Sequence, residues 1–220
     1  GEQKLETIEQ ILYKVPDFKT KVNLLNLLLK DKEVFTKVLV FVNTRLTAEK
    51  VFKSLFKYLD KEISIYKPLF FDHPGFDLID DFRLSEDTRI LLVADDLKES
   101  FNLNDIPFIF HLEMPIELES FISRIVKSPS TDSSDVLAIS FATDLELSMV
   151  KKIEQAIGLP IPLAELPQDL VIEKDKPKKI AKTEVQDTES GSAFHAKKQS
   201  NMKDYNYSSR EKAKMKFKNR

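Results

Sequence analysis

The sequence predicts an α/β fold: a parallel β-sheet with helices on both faces, three layers in all. Three observations carry that prediction. Val38-Leu39-Val40-Phe41-Val42 is an unbroken apolar run, four of its five residues β-branched or aromatic, which suits a strand covered on both faces. It stops at the polar residues Asn43, Thr44 and Arg45, and directly behind it Ala48, Val51, Phe52, Leu55, Phe56 and Leu59 recur at helical spacing. The same order of strand, polar tip and amphipathic helix returns along the chain, and crossover helices on both faces of a parallel sheet satisfy it.

Taken in order, residues 8–15 alternate loosely and end at Pro16, which reads as an edge strand. Asp17 is placed to cap a helix running to about Lys30 through Val22, Leu25, Leu28 and Leu29. After the 48–59 helix, residues 63–71 read as a strand in which Pro68 forces an edge position or an early end. Residues 72–75 form a turn, and Phe76, Ile79 and Phe82 mark a short helix. Residues 89–94 make a buried strand tipped by Asp95-Asp96, residues 97–107 are irregular, and 108–112 make another strand stopped at Glu113-Met114-Pro115. Leu118, Phe121, Ile122, Ile125 and Val126 define the next helix, and 128–134 is a loop by composition. Residues 136–141 are a last strand. Thr143 and Glu146 then form a capping box, and the helix they open ends at Gly158.

Charge divides the chain. Its 34 Lys and Arg fall 20 and 14 on residues 1–172 and 173–220, and its 36 Asp and Glu fall 29 and 7. The body thus stands at -9 and the tail at +7, an asymmetry that marks either a nucleic-acid or acidic-partner arm or a solubilising extension. The expected organisation is a folded domain over 1–172 and a basic tail over 173–220, too poor in large apolar residues to offset its ordering entropy and so disordered. No cysteine occurs, which fits a reducing compartment, and a cytoplasmic location is expected. No signal peptide is visible at the start, and no apolar stretch approaches the ~20 residues of a membrane span.

Several landmarks together resemble one family. Phe41-Val42-Asn43-Thr44-Arg45, then Phe82-Arg83 and the run from Arg89 to Asp96, then Phe108 to Pro115, and finally Phe121-Ile122-Ser123-Arg124-Ile125 are similar, in order and spacing, to motifs of the second RecA-like domain of DEAD-box RNA helicases. The resemblance covers residues 9–158. It implies RNA-backbone contacts from Asn43, Thr44 and Arg45, a ribose hydrogen bond from Asp96, and nucleotide-side roles for Arg124 and Lys127. Bottom-up alternatives stand beside each: a helix-capping turn for Asn43 and Thr44, a solvated strand tip for Asp96, and an ion pair to Asp96 or Glu113 for Arg124. In the tail, Lys197, Lys198 and Arg210 interleave with Tyr205 and Tyr207, a mixture suited to weak RNA binding by counterion release and stacking.

The departures from the family pattern matter as much. Its Gln-x-x-Arg falls on Asp72 and Gly75, its RNA-facing Thr on Asp95, its motif-opening His on Ser123, and its two γ-phosphate arginines on Lys127 and Ser130. Lysine keeps a charge but not the rigid fork of arginine, whose loss costs about 10³–10⁵ in rate in phosphoryl transfer. No Gly-x-x-x-x-Gly-Lys-Ser/Thr and no Asp-Glu-Ala-Asp occurs. ATP and Mg²⁺ are therefore expected only with an upstream RecA-like domain in the same polypeptide, no catalytic or metal-binding residue is assigned, and this chain alone should not hydrolyse ATP. The alternative is a helicase-derived module that binds a protein partner.

Overall fold

The computed structural model describes residues 5–70, 75–103, 105–127 and 135–173. Among the described residues, eight strands form one sheet in the order β4-β3-β5-β2-β6-β7-β1-β8, and every pairing of these strands is parallel. The strands are β1 (Glu9–Lys14), β2 (Val38–Val42), β3 (Ile63–Tyr66), β4 (Gly75–Phe76), β5 (Ile90–Ala94), β6 (Phe108–His111), β7 (Leu137–Ala142) and β8 (Leu163–Ala164). Five helices cross between them: α1 (Phe18–Leu29), α2 (Arg45–Leu59), α3 (Ile79–Leu84), α4 (Leu118–Ile125) and α5 (Leu147–Ile157).

The apolar run that predicted β2 sits at the centre of the sheet, between β5 and β6, and all five of its residues are buried. Because side chains alternate along a strand, β2 feeds two separate cores. Val38, Val40 and Val42 join Leu24, Leu25, Leu28 and Leu29 of α1 and Val51, Phe52 and Leu55 of α2 on one face. Leu39 and Phe41 join Phe121 and Ile125 of α4 and Val150, Ile153 and Ile157 of α5 on the other. Each fully buried side chain of this size contributes roughly 1.5–3 kcal/mol of transfer free energy, so the two cores fix which helix lies on which face.

The helix ends follow the local chemistry. Asp17 Oδ1 accepts the Thr20 N–H at 2.8 Å, Thr44 Oγ1 accepts the Thr47 N–H at 3.1 Å, and Gly158 closes α5 in the left-handed region at φ 77°. The Thr143–Glu146 capping box is present in both directions, with a 3-10 turn over Asp144–Glu146 before α5 proper begins.

Three expectations are corrected. β1 is not an edge strand, because β8 pairs with its outer side through Leu12 and Tyr13. β3 stops at Tyr66, the early end that Pro68 allowed, and Phe76 belongs to β4 rather than to a helix. Phe56, placed on the buried stripe of α2, is 38% exposed and covers the ring of Phe52 from outside. The disordered-tail expectation, with Lys197, Lys198 and Arg210, lies outside the described residues, as do Asp72 and Ser130.

Residues 159–173 strap back over α1. Leu166, Leu170 and Ile172 are buried in the α1 core. The Thr20 hydroxyl donates to the Glu173 carbonyl at 3.0 Å and accepts the Glu173 N–H at 3.0 Å. Glu173 therefore lies at the N-terminus of α1, on the carboxyl rim of the sheet.

Candidate functional site

The carboxyl ends of β2, β5 and β6 open into a cleft of about 550 Å³, lined in part by Asn43, Thr44, Asp95, Asp96, Ser120 and Arg124. This is where open α/β sheets bind ligands, because the strand order leaves a crevice there. Three backbone links hold the tips together: Asp96 N–H to Asn43 O at 3.1 Å, Leu112 N–H to Phe41 O at 3.0 Å, and Val15 N–H to Ala142 O at 2.9 Å further along.

Each candidate residue has a place. Asn43 receives its register from Glu113, whose Oε1 accepts the Asn43 N–H at 2.9 Å, and the Asn43 Oδ1 is buried without a partner among the described residues. Thr44 caps α2, and its hydroxyl also lies 3.0 Å from that of Thr47. Asp96 presents both carboxylate oxygens to the Arg45 N–H at 3.2 Å, so the tips of β2 and β5 share one rim. Arg45 turns its guanidinium away from the cleft: Nη2 donates to Lys67 O at 2.6 Å and to Pro68 O at 3.2 Å, tying down the chain after β3. Lys127 lies beyond α4, its N–H on Glu6 O at 2.9 Å, and does not line the cleft.

Arg124 is the buried cation of the site. Its guanidinium stacks 3.6 Å from the Phe41 ring centre and closes on the carboxylate of Asp95. Nη1 also lies 3.3 Å from Nε2 of His111. The sequence offered Asp96 or Glu113 as the ion-pair partner; the partner is Asp95, while Asp96 turns to the start of α2 and Glu113 to Asn43. His111 is fully buried between Phe41 and Phe121, with ring centres 5.5 and 4.4 Å away. Burial, and then the Arg124 charge, push its pKa well below the usual imidazole value, so it stays neutral. A neutral Nε2 accepts from Arg124, which a protonated ring could not do.

Sequence reasoning also missed a second polar knot on the same rim. Lys21 of α1 is 2% exposed and pairs with Glu146. Glu146 in turn accepts the Met114 N–H at 2.6 Å through Oε2 and the Thr143 N–H at 3.0 Å through Oε1. One carboxylate thus joins α1, the β6–α4 loop and the β7–α5 turn. The signal was present: Lys21 stands at helical spacing with Leu24, Leu25 and Leu28, on the buried face.

No protein-family model matches the sequence. Among curated proteins, the chain is 28% identical over 107 residues to the ATP-dependent RNA helicase DbpA of Bacillus subtilis, covering 49% of this chain and 22% of that protein. It is 27% identical over 94 residues to RhlB, an ATP-dependent RNA helicase of Haemophilus influenzae, covering 43% and 22%. The match thus spans about a fifth of these relatives' length. Among solved structures, the Escherichia coli DEAD-box protein SrmB bound to RraA superposes with a TM-score of 0.57 at 18% identity, over 79% of this chain and 99% of that one. Domain 2 of the Mss116p DEAD-box helicase, bound to an RNA duplex, gives 0.56 at 19%, over 81% and 68%. The C-terminal domain of the DEAD-box protein Dbp5 gives 0.57 at 21%, over 71% and 89%.

The fold is that of the second RecA-like domain of DEAD-box RNA helicases. In this RecA-like domain the strand tips, the cleft and α4 stand in the order the sequence landmarks predicted, with Asp95 and Arg124 facing each other at the base of the cleft.

Proposed function

We propose that this chain is the second lobe of a DEAD-box-type RNA motor, worn in its nucleotide and RNA motifs, which does not hydrolyse ATP alone and binds RNA weakly, mainly through residues 173–220. ATP, Mg²⁺ and an upstream RecA-like lobe enter this reading together: without a P-loop in the sequence, only a second lobe could supply the phosphate cradle. A cytoplasmic setting belongs to the same reading.

The observation that carries it is the Asp95–Arg124 pair. The cation best placed to meet a phosphate at the cleft floor is already neutralised by a carboxylate of its own chain, with both side chains largely buried. The other charges lining the cleft, Asp96, Glu99, Glu117 and Lys98, do not make it attractive to a polyanion. The +7 tail does.

Two assays test this reading. Phosphate release by the purified chain should stay at background with and without RNA. RNA binding should be salt-sensitive, should vanish when 174–220 is removed, and should strengthen in Asp95→Asn, which leaves Arg124 unneutralised. RNA-stimulated turnover, or undiminished binding by the shortened chain, would refute the reading.

A second reading, a protein-binding module, is favoured by one observation. Ile116 and Leu145 stand on the carboxyl rim at 78% and 93% exposure, in two turns that Glu146 joins through the Met114 and Thr143 N–H groups. Loss of all RNA binding by the intact chain would favour it.

A further inference from the structure

The cleft also has a ligand chemistry of its own. Phe41, Phe101, Leu103 and Ile116 give it apolar walls, and Asp96 and Glu117 are exposed carboxylates on its lining. Arg124 contributes no net attraction for anions, being closed on Asp95, and Glu99 is held by Lys67 at 2.8 Å and by the Tyr66 hydroxyl at 3.0 Å. Such a groove suits a cation on an aliphatic or aromatic stem: a Lys or Arg whose methylenes lie along the walls while its charge reaches the rim.

One segment of this chain has that chemistry. The positive charge of the tail is not spread along it. Residues 173–196 carry five basic and five acidic residues, whereas 197–220 carry nine basic and two acidic. A neutral connector is therefore followed by a block holding the whole +7, in which Met215 and Phe217 alternate with lysines and Tyr205 and Tyr207 lie between Lys203 and Arg210. The connector starts in a suitable place. Glu173 is clasped to Thr20 at the carboxyl rim, and β1, which leads into α1, lies three strands from β2. Three strand spacings amount to about 14 Å. The connector's contour length, at about 3.3 Å per residue, far exceeds that distance, so the cleft lies well within reach. Tethering at that range raises the effective concentration to about millimolar, enough for individually weak contacts to be populated.

We propose that the basic segment 197–220 docks in cis across this cleft, its Lys and Arg side chains on Asp96 and Glu117 and its aromatic side chains against Phe101, Leu103 and Ile116. On the RNA-binding reading above, RNA then competes with the cleft for the same segment.

Carbodiimide cross-linking of the full chain, which joins carboxylates to amines at zero length, tests the docking directly. An equal mixture of ¹⁴N- and ¹⁵N-labelled full chain should yield links from lysines in 197–220 to Asp96 or Glu117, all within one isotope label. Those links should fall steeply between about 50 mM and about 0.5 M salt as the charges are screened. In Glu117→Lys, whose side chain caps nothing at the start of α4, they should drop about threefold to fivefold, the worth of one exposed ion pair. Mixed-label links would mean a second copy, not cis docking, and would overturn the proposal. So would links spread evenly over the body's acids, links insensitive to salt, or no links at all. The salt arm uses the unaltered chain, so misfolding of the variant does not blunt the test. No RNA is present, so failure here leaves the RNA reading standing, and failure of RNA binding leaves this result untouched.

Discussion

Asp95 and Arg124 lie 29 residues apart and close on each other at the floor of the cleft, with Arg124 Nη1 3.5 Å from Asp95 Oδ2 as the longer of the two contacts. The pair joins the tip of β5 to α4 and explains how Asp95 tolerates a largely buried position: its carboxylate faces a guanidinium, whereas the exposed Asp96 turns to the start of α2. Removing either partner leaves a largely buried charge unpaired. Arg124→Ala should therefore destabilise the chain by about 3–5 kcal/mol in urea unfolding, part of it from the lost stacking on Phe41. A change below about 1 kcal/mol would mean the pair is solvent-screened and the cleft floor open.

His111 sets the acid side of the stability profile. Its folded-state pKa lies below its unfolded value, so below about pH 6.5 the unfolded chain binds the extra proton. The stability tied to a neutral His111 is fully present above that pH and is lost as pH falls through it, at up to about 1.4 kcal/mol per pH unit. In His111→Phe the ring still fills the space between Phe41 and Phe121, and the slope between pH 6.5 and 5 should be shallower than in the parent. Equal slopes would show that His111 takes up no proton on unfolding.

Glu146 should be among the costliest single carboxylates to lose. It serves Lys21, Thr143 and Met114 at once. Glu146→Ala strands a buried ammonium and two N–H donors and should cost about 3–5 kcal/mol, while Lys21→Met, which removes the charge and keeps the stem, should cost clearly less. The reverse ranking in thermal unfolding would contradict the hub assignment.

The clasp at the end of the body gives a smaller, local effect. Thr20→Val keeps the shape of the side chain and removes both hydrogen bonds to Glu173. About 1–2 kcal/mol of protection should disappear from the amides of 170–173 in hydrogen exchange, leaving the sheet unaffected. Loss of protection across β1 and β7 as well would show that the strap is part of the cooperative core.

What could be read from the sequence was whatever a local pattern encodes. The five buried residues of β2, the stripe of α2, the Asp17 and Thr44 caps and the Thr143–Glu146 box all follow from spacing and side-chain chemistry within a few residues. β4 and β8 could not be read, because two residues carry no periodicity, and β1 was taken for an edge because the strand that covers it is one of these. The cleft was half legible. The polar tips Asn43-Thr44 and Asp95-Asp96 announced where it is, but which acid meets Arg124 depends on where α4 lies across the sheet. Arg45 shows the same limit from the other side: its position at a strand tip suggested a ligand contact, and its guanidinium went instead to two carbonyls after β3.

On the proposed function, this RecA-like lobe meets RNA through its basic tail and not through a cleft whose arginine is already bound. Single-stranded RNA titrations of the full chain and of a chain ending at Glu173, each at about 50 and 200 mM salt, test it most directly. The full chain should bind weakly and with steep salt dependence, and the shorter one not at all. Equal affinity of the two chains would contradict it.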